Sequence, residues 1–108
     1  MAVETRTEER VDSGLEYRPG EPVLVRVVRR GRRIDLSDEG RGVAHAGKPA
    51  GWRDAEEQVV DGYGLNLGRE GAVSVPVVPA GPGLEPLLAR VAGASLAVYQ
   101  EILELDPR

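Results

Sequence analysis

The sequence predicts a small α+β fold: an antiparallel sheet, built from a three-stranded meander plus a second hairpin, covered by two helices with the longer at the C-terminus. Three observations predict it. Apolar side chains alternate with polar ones through Val23, Val25 and Val27 and again through Ile34 and Leu36, on either side of an arginine-rich turn at Gly31. A second alternating pair, Leu65/Leu67 and Val73/Val75, flanks Gly68-Arg69-Glu70-Gly71. Finally, three- and four-residue apolar steps mark helices over residues 52–63 and 85–105.

In chain order, residues 1–10 read as a mobile, charged arm and 11–108 as a single domain. Gly14 to Arg18 alternates and makes a short first strand, turned at Pro19-Gly20-Glu21-Pro22 into Val23–Val28. A two-residue turn at Arg30-Gly31 then sets Val27 opposite Ile34, Val25 opposite Leu36 and Arg26 opposite Asp35. A one-residue slip would mix arginine into the apolar face, so that register is disfavoured.

Ser37-Asp38-Glu39-Gly40 is turn or helix-entry chemistry: Ser37 could cap a short helix with Asp38 and Glu39 in its first turn, against which Gly40 and Gly42 speak, or residues 41–46 could run as a bent extended segment. The helix from Trp52 to Tyr63 has Trp52, Ala55, Val59 and Tyr63 on one face, with Asp54, Glu56 and Glu57 placed as first-turn acids favoured by the helix dipole. For Leu65 and Leu67 to share a face with Val73 and Val75, the second hairpin needs an odd-length connection. Pro76 lacks an amide hydrogen, so its strand must be an edge or pair on one side only there. After a linker at residues 79–83, Leu84, Leu87, Leu88, Val91, Ser95, Val98, Ile102 and Leu105 form the stripe of the long helix. Ala92, Gly93 and Ala94 give it a small-residue patch, which admits a close-packed backbone of the same chain or a helix–helix homodimer.

Residues 34–40, IDLSDEG, resemble the Leu-Thr-Asp-x-Gly signature of a small bacterial and phage domain family of unknown function, and VAGASLAVYQEILEL at residues 91–105 resembles its closing helix. Ser37 stands where that family has threonine. The resemblance runs over roughly residues 15–105. It implies an α+β domain, no activity and no catalytic residues.

Composition narrows the function classes. Without cysteine there is no disulfide or thiolate metal site, and the charged, apolar-poor N-terminus is no secretory signal, so a cytoplasmic location is expected. The Leu84–Leu105 stretch carries too many charges to be a membrane span. Net charge is −4, unfavourable for a general polyanion binder, yet Arg26, Arg29, Arg30, Arg32 and Arg33 cluster on one hairpin. The single His45 cannot build a multi-histidine metal site, and no phosphate loop or nucleophile elbow is present.

The leading expectation is therefore a non-catalytic protein-interaction or structural module, partnered by another protein or by a second copy through Ala92, Gly93 and Ala94. The alternative is a nucleic-acid accessory protein using the five hairpin arginines as a phosphate-contacting ribbon. A small hydrolytic or metal-dependent enzyme using His45, Asp35 and Asp38 ranks last. Asp35, Asp38 and Glu39 could hold a hard cation, but pairing of Asp35 with Arg26 and of Asp38 with local backbone amides is favoured, and no cofactor or metal is expected.

Overall fold

The computed structural model describes residues 6–78, 81 and 83–105. Strands β1 (Arg6–Arg18), β2 (Glu21–Arg30) and β3 (Arg33–Ser37) form the meander. Helices α1 (Arg41–Ala46) and α2 (Trp52–Gly62) follow, then strands β4 (Asn66–Leu67) and β5 (Val73–Val77), and the long helix α3 (Leu84–Leu103). All pairings are antiparallel, in the order β1-β2-β3-β5-β4. The α+β architecture is thus as the sequence predicts, with one further short helix.

The apolar alternation decides which face is buried. Val23, Val25 and Val27 of β2, Leu36 of β3 and Val73 of β5 are all at most 1 % exposed, and they face Leu87, Val91, Val98 and Ile102 of α3. Each such side chain contributes roughly 1.5–3 kcal/mol by leaving water. The odd residues of β2 hold the core and the even ones, Leu24, Arg26 and Val28, are only half-buried.

The hairpin register differs from expectation by two residues. Val27 lies opposite Leu36, Arg29 opposite Ile34, and Arg26 opposite Ser37 rather than Asp35. The turn is Gly31-Arg32, closed by Arg30 and Arg33, with Gly31 at φ 59° as its first central residue. That is the position where a type II′ turn takes glycine, one place earlier than a turn at Arg30-Gly31 would put it. A shift of two preserves every side chain's face, which is why the core prediction survives the register error.

β1 is also longer than expected. Residues 6–10, assigned to a mobile arm, pair with β2 from Arg6↔Arg30 onward, while residues 1–5 lie outside the described residues. Cross-strand ion pairs replace apolar burial there, so alternation gave no signal. The second hairpin matches expectation: Leu67 pairs with Val73 across the five-residue connection 68–72. Pro76 faces Asp35 on the β3 side, and the two-residue β4 stops short of it on the other.

On α2 the buried positions are Glu56 and Val60, while Trp52, Ala55 and Val59 are half-buried and Tyr63 is exposed. The stripe is thus rotated by one residue from the predicted face, and it carries a carboxylate inward. Residues 41–46 form a short helix rather than a bent extended segment, but it starts behind Gly40 and not behind a Ser37 cap, because Ser37 still belongs to β3 and Asp38 and Glu39 lie in the turn ahead of it.

Candidate interaction surface and a sealed polar core

Two sets of polar groups stand out, one inside the fold and one on the uncovered face of the sheet. The inner set centres on Asp38, fully buried at the end of β3. Its Oδ1 accepts the amide hydrogens of Gly40 at 2.8 Å and Val73 at 2.7 Å, and its Oδ2 accepts the Ser95 hydroxyl at 2.6 Å. The Tyr17 hydroxyl lies 2.6 Å from the same Ser95 oxygen. β1, the β3–α1 turn, β5 and α3 are thereby tied through one carboxylate. Burial pushes the Asp38 carboxyl above its ordinary range, against the opposing pull of its hydroxyl and amide donors. Burial likewise pushes the Tyr17 phenol up to about 12.

Glycines give this junction its geometry. Gly40 at φ 73° and Glu39 at φ 60° turn the chain from β3 into α1. Gly42 then brings the α1 backbone against α3, where a Cβ would stand 2.6 Å from the Ser95 carbonyl oxygen. The small-residue patch is explained by the same packing. Ala92 and Ala94 are buried within the monomer, and Gly93 meets the Tyr63 ring of α2. Ala92 and Ala94 are thus covered by the chain itself, while Gly93 stays half-buried beside the exposed Tyr63.

Glu56 completes the interior set. It is fully buried, and neither carboxylate oxygen has a hydrogen-bond partner. A Cβ on Gly71 would stand 3.0 Å from Glu56 Oε1 and from Val43 Cγ2 and 3.3 Å from Trp52 Cζ3. Burial, reinforced by the charge of Asp38, pushes the Glu56 carboxyl up to about 7.

His45, Asp35 and Asp38 do not converge. The His45 ring stacks on Tyr17 at 4.6 Å between centroids, with Nδ1 3.4 Å from Glu21 Oε1. Asp35 pairs with Arg33 at 2.9 Å on the uncovered sheet face, and Asp38 is sealed inside. Glu39 is held by arginines, so its carboxyl lies below its ordinary range, chiefly through the Arg10 hydrogen bonds. Among the described residues no group of three or more His, Cys, Asp or Glu side chains is arranged to hold a metal ion.

The outer set covers the sheet face that carries no helix. A groove of about 450 Å³ runs over it, lined wholly by strand residues, among them Arg26, Val28, Asp35, Ser37, Ser74 and Pro76. Along its β1 side, Arg10 donates two hydrogen bonds to Glu39 at 2.7 and 2.8 Å, and Arg26 donates to Glu8. Charge is neutralised where the sheet is widest. Toward the hairpin tip the balance changes: Arg30 lies across from Arg33 and Arg6 across from Arg30, while Arg29, opposite Thr7 and Ile34, lies on the other face and Arg32 stands in the turn. Of the five arginines predicted to act together, four cluster at this tip, while Arg26 lies inward in an ion-pair network with Glu8 and Glu39.

A larger groove of about 620 Å³ lies between α2 and β4, lined by Arg53, Asp54, Glu57 and Asp61 among others. Arg53 is engaged there with the carbonyl oxygens of Gly68 and Arg69. Among the described residues no helix is long and apolar enough to cross a membrane.

Comparison with known proteins finds no matching family model, no matching curated sequence and no matching solved structure. The sequence singled out the hairpin arginines but missed the Tyr17–Ser95–Asp38 chain, whose members lie up to 78 residues apart. The interruption of the α3 stripe by Ser95 was its one trace.

Proposed function

We propose that this chain is a non-catalytic interaction module that acts by contact with another protein chain, using the uncovered side of its sheet. The observation that carries the reading is the separation of the two polar sets. The hydroxyl, phenol and carboxyl groups that converge are fully or nearly fully buried and engage one another. The accessible groups instead form a broad surface of strand residues with a shallow groove, patterned in alternating charge. A surface of that kind suits recognition of another folded or extended chain, with paired charges setting orientation. The resemblance of residues 34–40 to a domain family without known activity agrees with this, because the shared residues include the buried Asp38 and the turn glycine Gly40.

A second reading rests on the arginines at the hairpin tip, which suit phosphate contact. Sedimentation velocity over a concentration series, run beside fluorescence anisotropy of mixed-sequence DNA and RNA over a salt series, separates the two. The proposal expects concentration-dependent association and no salt-steep nucleic-acid binding. A monomer at every concentration would overturn it if accompanied by salt-sensitive nucleic-acid binding lost in an Arg29/Arg30/Arg32/Arg33→Ala variant.

A further inference from the structure

We infer that the outer edge of β1 is a homodimer interface: two copies join β1 to β1 antiparallel, with the twofold axis through Glu9, making one continuous sheet. This rests on the reading above that the chain works by protein contact, and names the partner and the register.

β1 is the first strand of the sheet and, among the described residues, pairs only with β2, which leaves the other side of its backbone to another strand. The seven consecutive residues Arg6–Asp12 pair regularly with β2. Beyond them the ladder shifts register, where Asp12 Oδ1 accepts the Gly14 amide and Gly14 sits at φ 88°. The usable edge is therefore a straight seven-residue segment.

Its charges alternate. Arg6, Glu8, Arg10 and Asp12 all point to the uncovered face, as positive, negative, positive, negative. In an antiparallel pair of identical strands, directly opposite residues must both point their backbone groups inward or both outward, so the axis passes through a residue. An axis through Glu8 sets Arg6 against Arg10, and one through Arg10 sets Glu8 against Asp12. Both are repulsive. An axis through Val11 carries the pairing past Asp12 into the bulge. An axis through Glu9 pairs the whole segment with itself and gives Arg6 opposite Asp12 and Glu8 opposite Arg10, each twice.

The neighbouring strand fits the same arrangement. Arg10 lies directly across from Arg26 within one chain, with Glu39 paired to Arg10 and Glu8 to Arg26. The partner's Glu8 would extend the Arg10–Arg26 row with a negative charge. Thr7 falls opposite Val11 on the other face. The single mismatch is Glu9 against its own copy on the axis. Charged edge strands commonly deter pairing; here the order of charges deters the Glu8 and Arg10 registers, and axes through Thr7 or Val11, though complementary in charge, keep only a three-residue part of the regular segment paired with itself.

The chain has no cysteine, so single cysteines report the register directly. Opposite residues in an antiparallel pair have Cα atoms about 4.5–5.5 Å apart, within the about 4.4–6.8 Å a disulfide spans. Under mild oxidation Glu9→Cys should form covalent dimer well ahead of Glu8→Cys, Arg10→Cys and Val11→Cys. In sedimentation equilibrium, Glu8→Arg should weaken the dimer about tenfold and Glu9→Gln should tighten it. Faster crosslinking at any other position, equal crosslinking at all four, or a wild-type monomer at every concentration would overturn the edge dimer. Self-association unaffected by Glu8→Arg would also overturn it, while leaving the protein-contact reading standing on another surface.

Discussion

The buried carboxylate of Glu56 makes the sharpest energetic prediction. Both of its oxygens lack a hydrogen-bond partner, and its carboxyl is pushed from an ordinary 4.5 to about 7. The folded protein therefore holds this proton more tightly than the unfolded chain does, and stability must fall as pH rises between those two values. The stabilising contribution is complete below pH about 4.5, declines through pH about 7 and is gone above it. At 1.36 kcal/mol per pH unit the full swing is about 3 kcal/mol, a large part of a small domain's stability. Glu56→Gln keeps the shape of the neutral acid and cannot ionise. It should leave stability nearly unchanged at pH about 4.5 and raise it by about 2–3 kcal/mol at pH about 8. Urea unfolding across this range can be followed by the fluorescence of Trp52, the only tryptophan, which packs beside the carboxylate. Taking the difference between the two proteins cancels the other titrating groups, provided that Asp38, Arg53 and Lys48, the charges that act on Glu56, keep their places. Parallel stability–pH curves for wild type and variant would refute the reasoning, because they would mean that Glu56 ionises as freely folded as unfolded.

Further outcomes follow from the interior junction and the hairpin tip. Ser95→Ala strips a hydroxyl from both Asp38 and Tyr17 and should cost about 1–3 kcal/mol in urea unfolding, with Tyr17→Phe costing less because Ser95 keeps its bond to Asp38. Gly42→Ala places a methyl 2.6 Å from the Ser95 carbonyl oxygen and should destabilise by about 1–3 kcal/mol, read as a lowered thermal midpoint. Gly71→Ala meets Glu56, Val43 and Trp52 and sits at φ 89°, so it should destabilise and alter the Trp52 emission. Arg29/Arg30/Arg32/Arg33→Ala removes charge from exposed positions outside the core and should change stability by no more than about 0.5 kcal/mol by the same urea assay.

The sheet and the long helix were legible because their signals are local. Two-residue alternation in β2 and β3 and the three-and-four spacing of Leu87, Val91, Val98 and Ile102 each report a buried face without reference to the rest of the chain. The first half of β1 was not legible, because Arg6 to Arg10 are held by ion pairs to Glu8, Glu39 and Arg26 rather than by burial. In the sequence Glu56 has the place of an acid near the start of its helix, and only the packing of Gly71 and Val43 against α2 shows it buried. The Asp38 junction is built from residues distant in the chain, and nothing in the local pattern at Tyr17 or Ser95 announces the other. Of the hairpin arginines, clustering was visible but pairing was not, since Arg26 finds its acid on β1 and not on β3.

The uncovered sheet face and the β1 edge are the proposed contact surface, set apart from the buried Asp38–Ser95–Tyr17 junction. Amide NMR spectra of the labelled protein over a dilution series test it most directly. Contact through the sheet should give concentration-dependent shifts along Arg6–Asp12 and on the uncovered face at Arg26, Val28 and Ser74, with Asp38, Ser95 and the outer surfaces of α2 and α3 unchanged. Shifts confined to the α2 and α3 surfaces, at residues such as Asp54, Glu57 and Arg90, would contradict it.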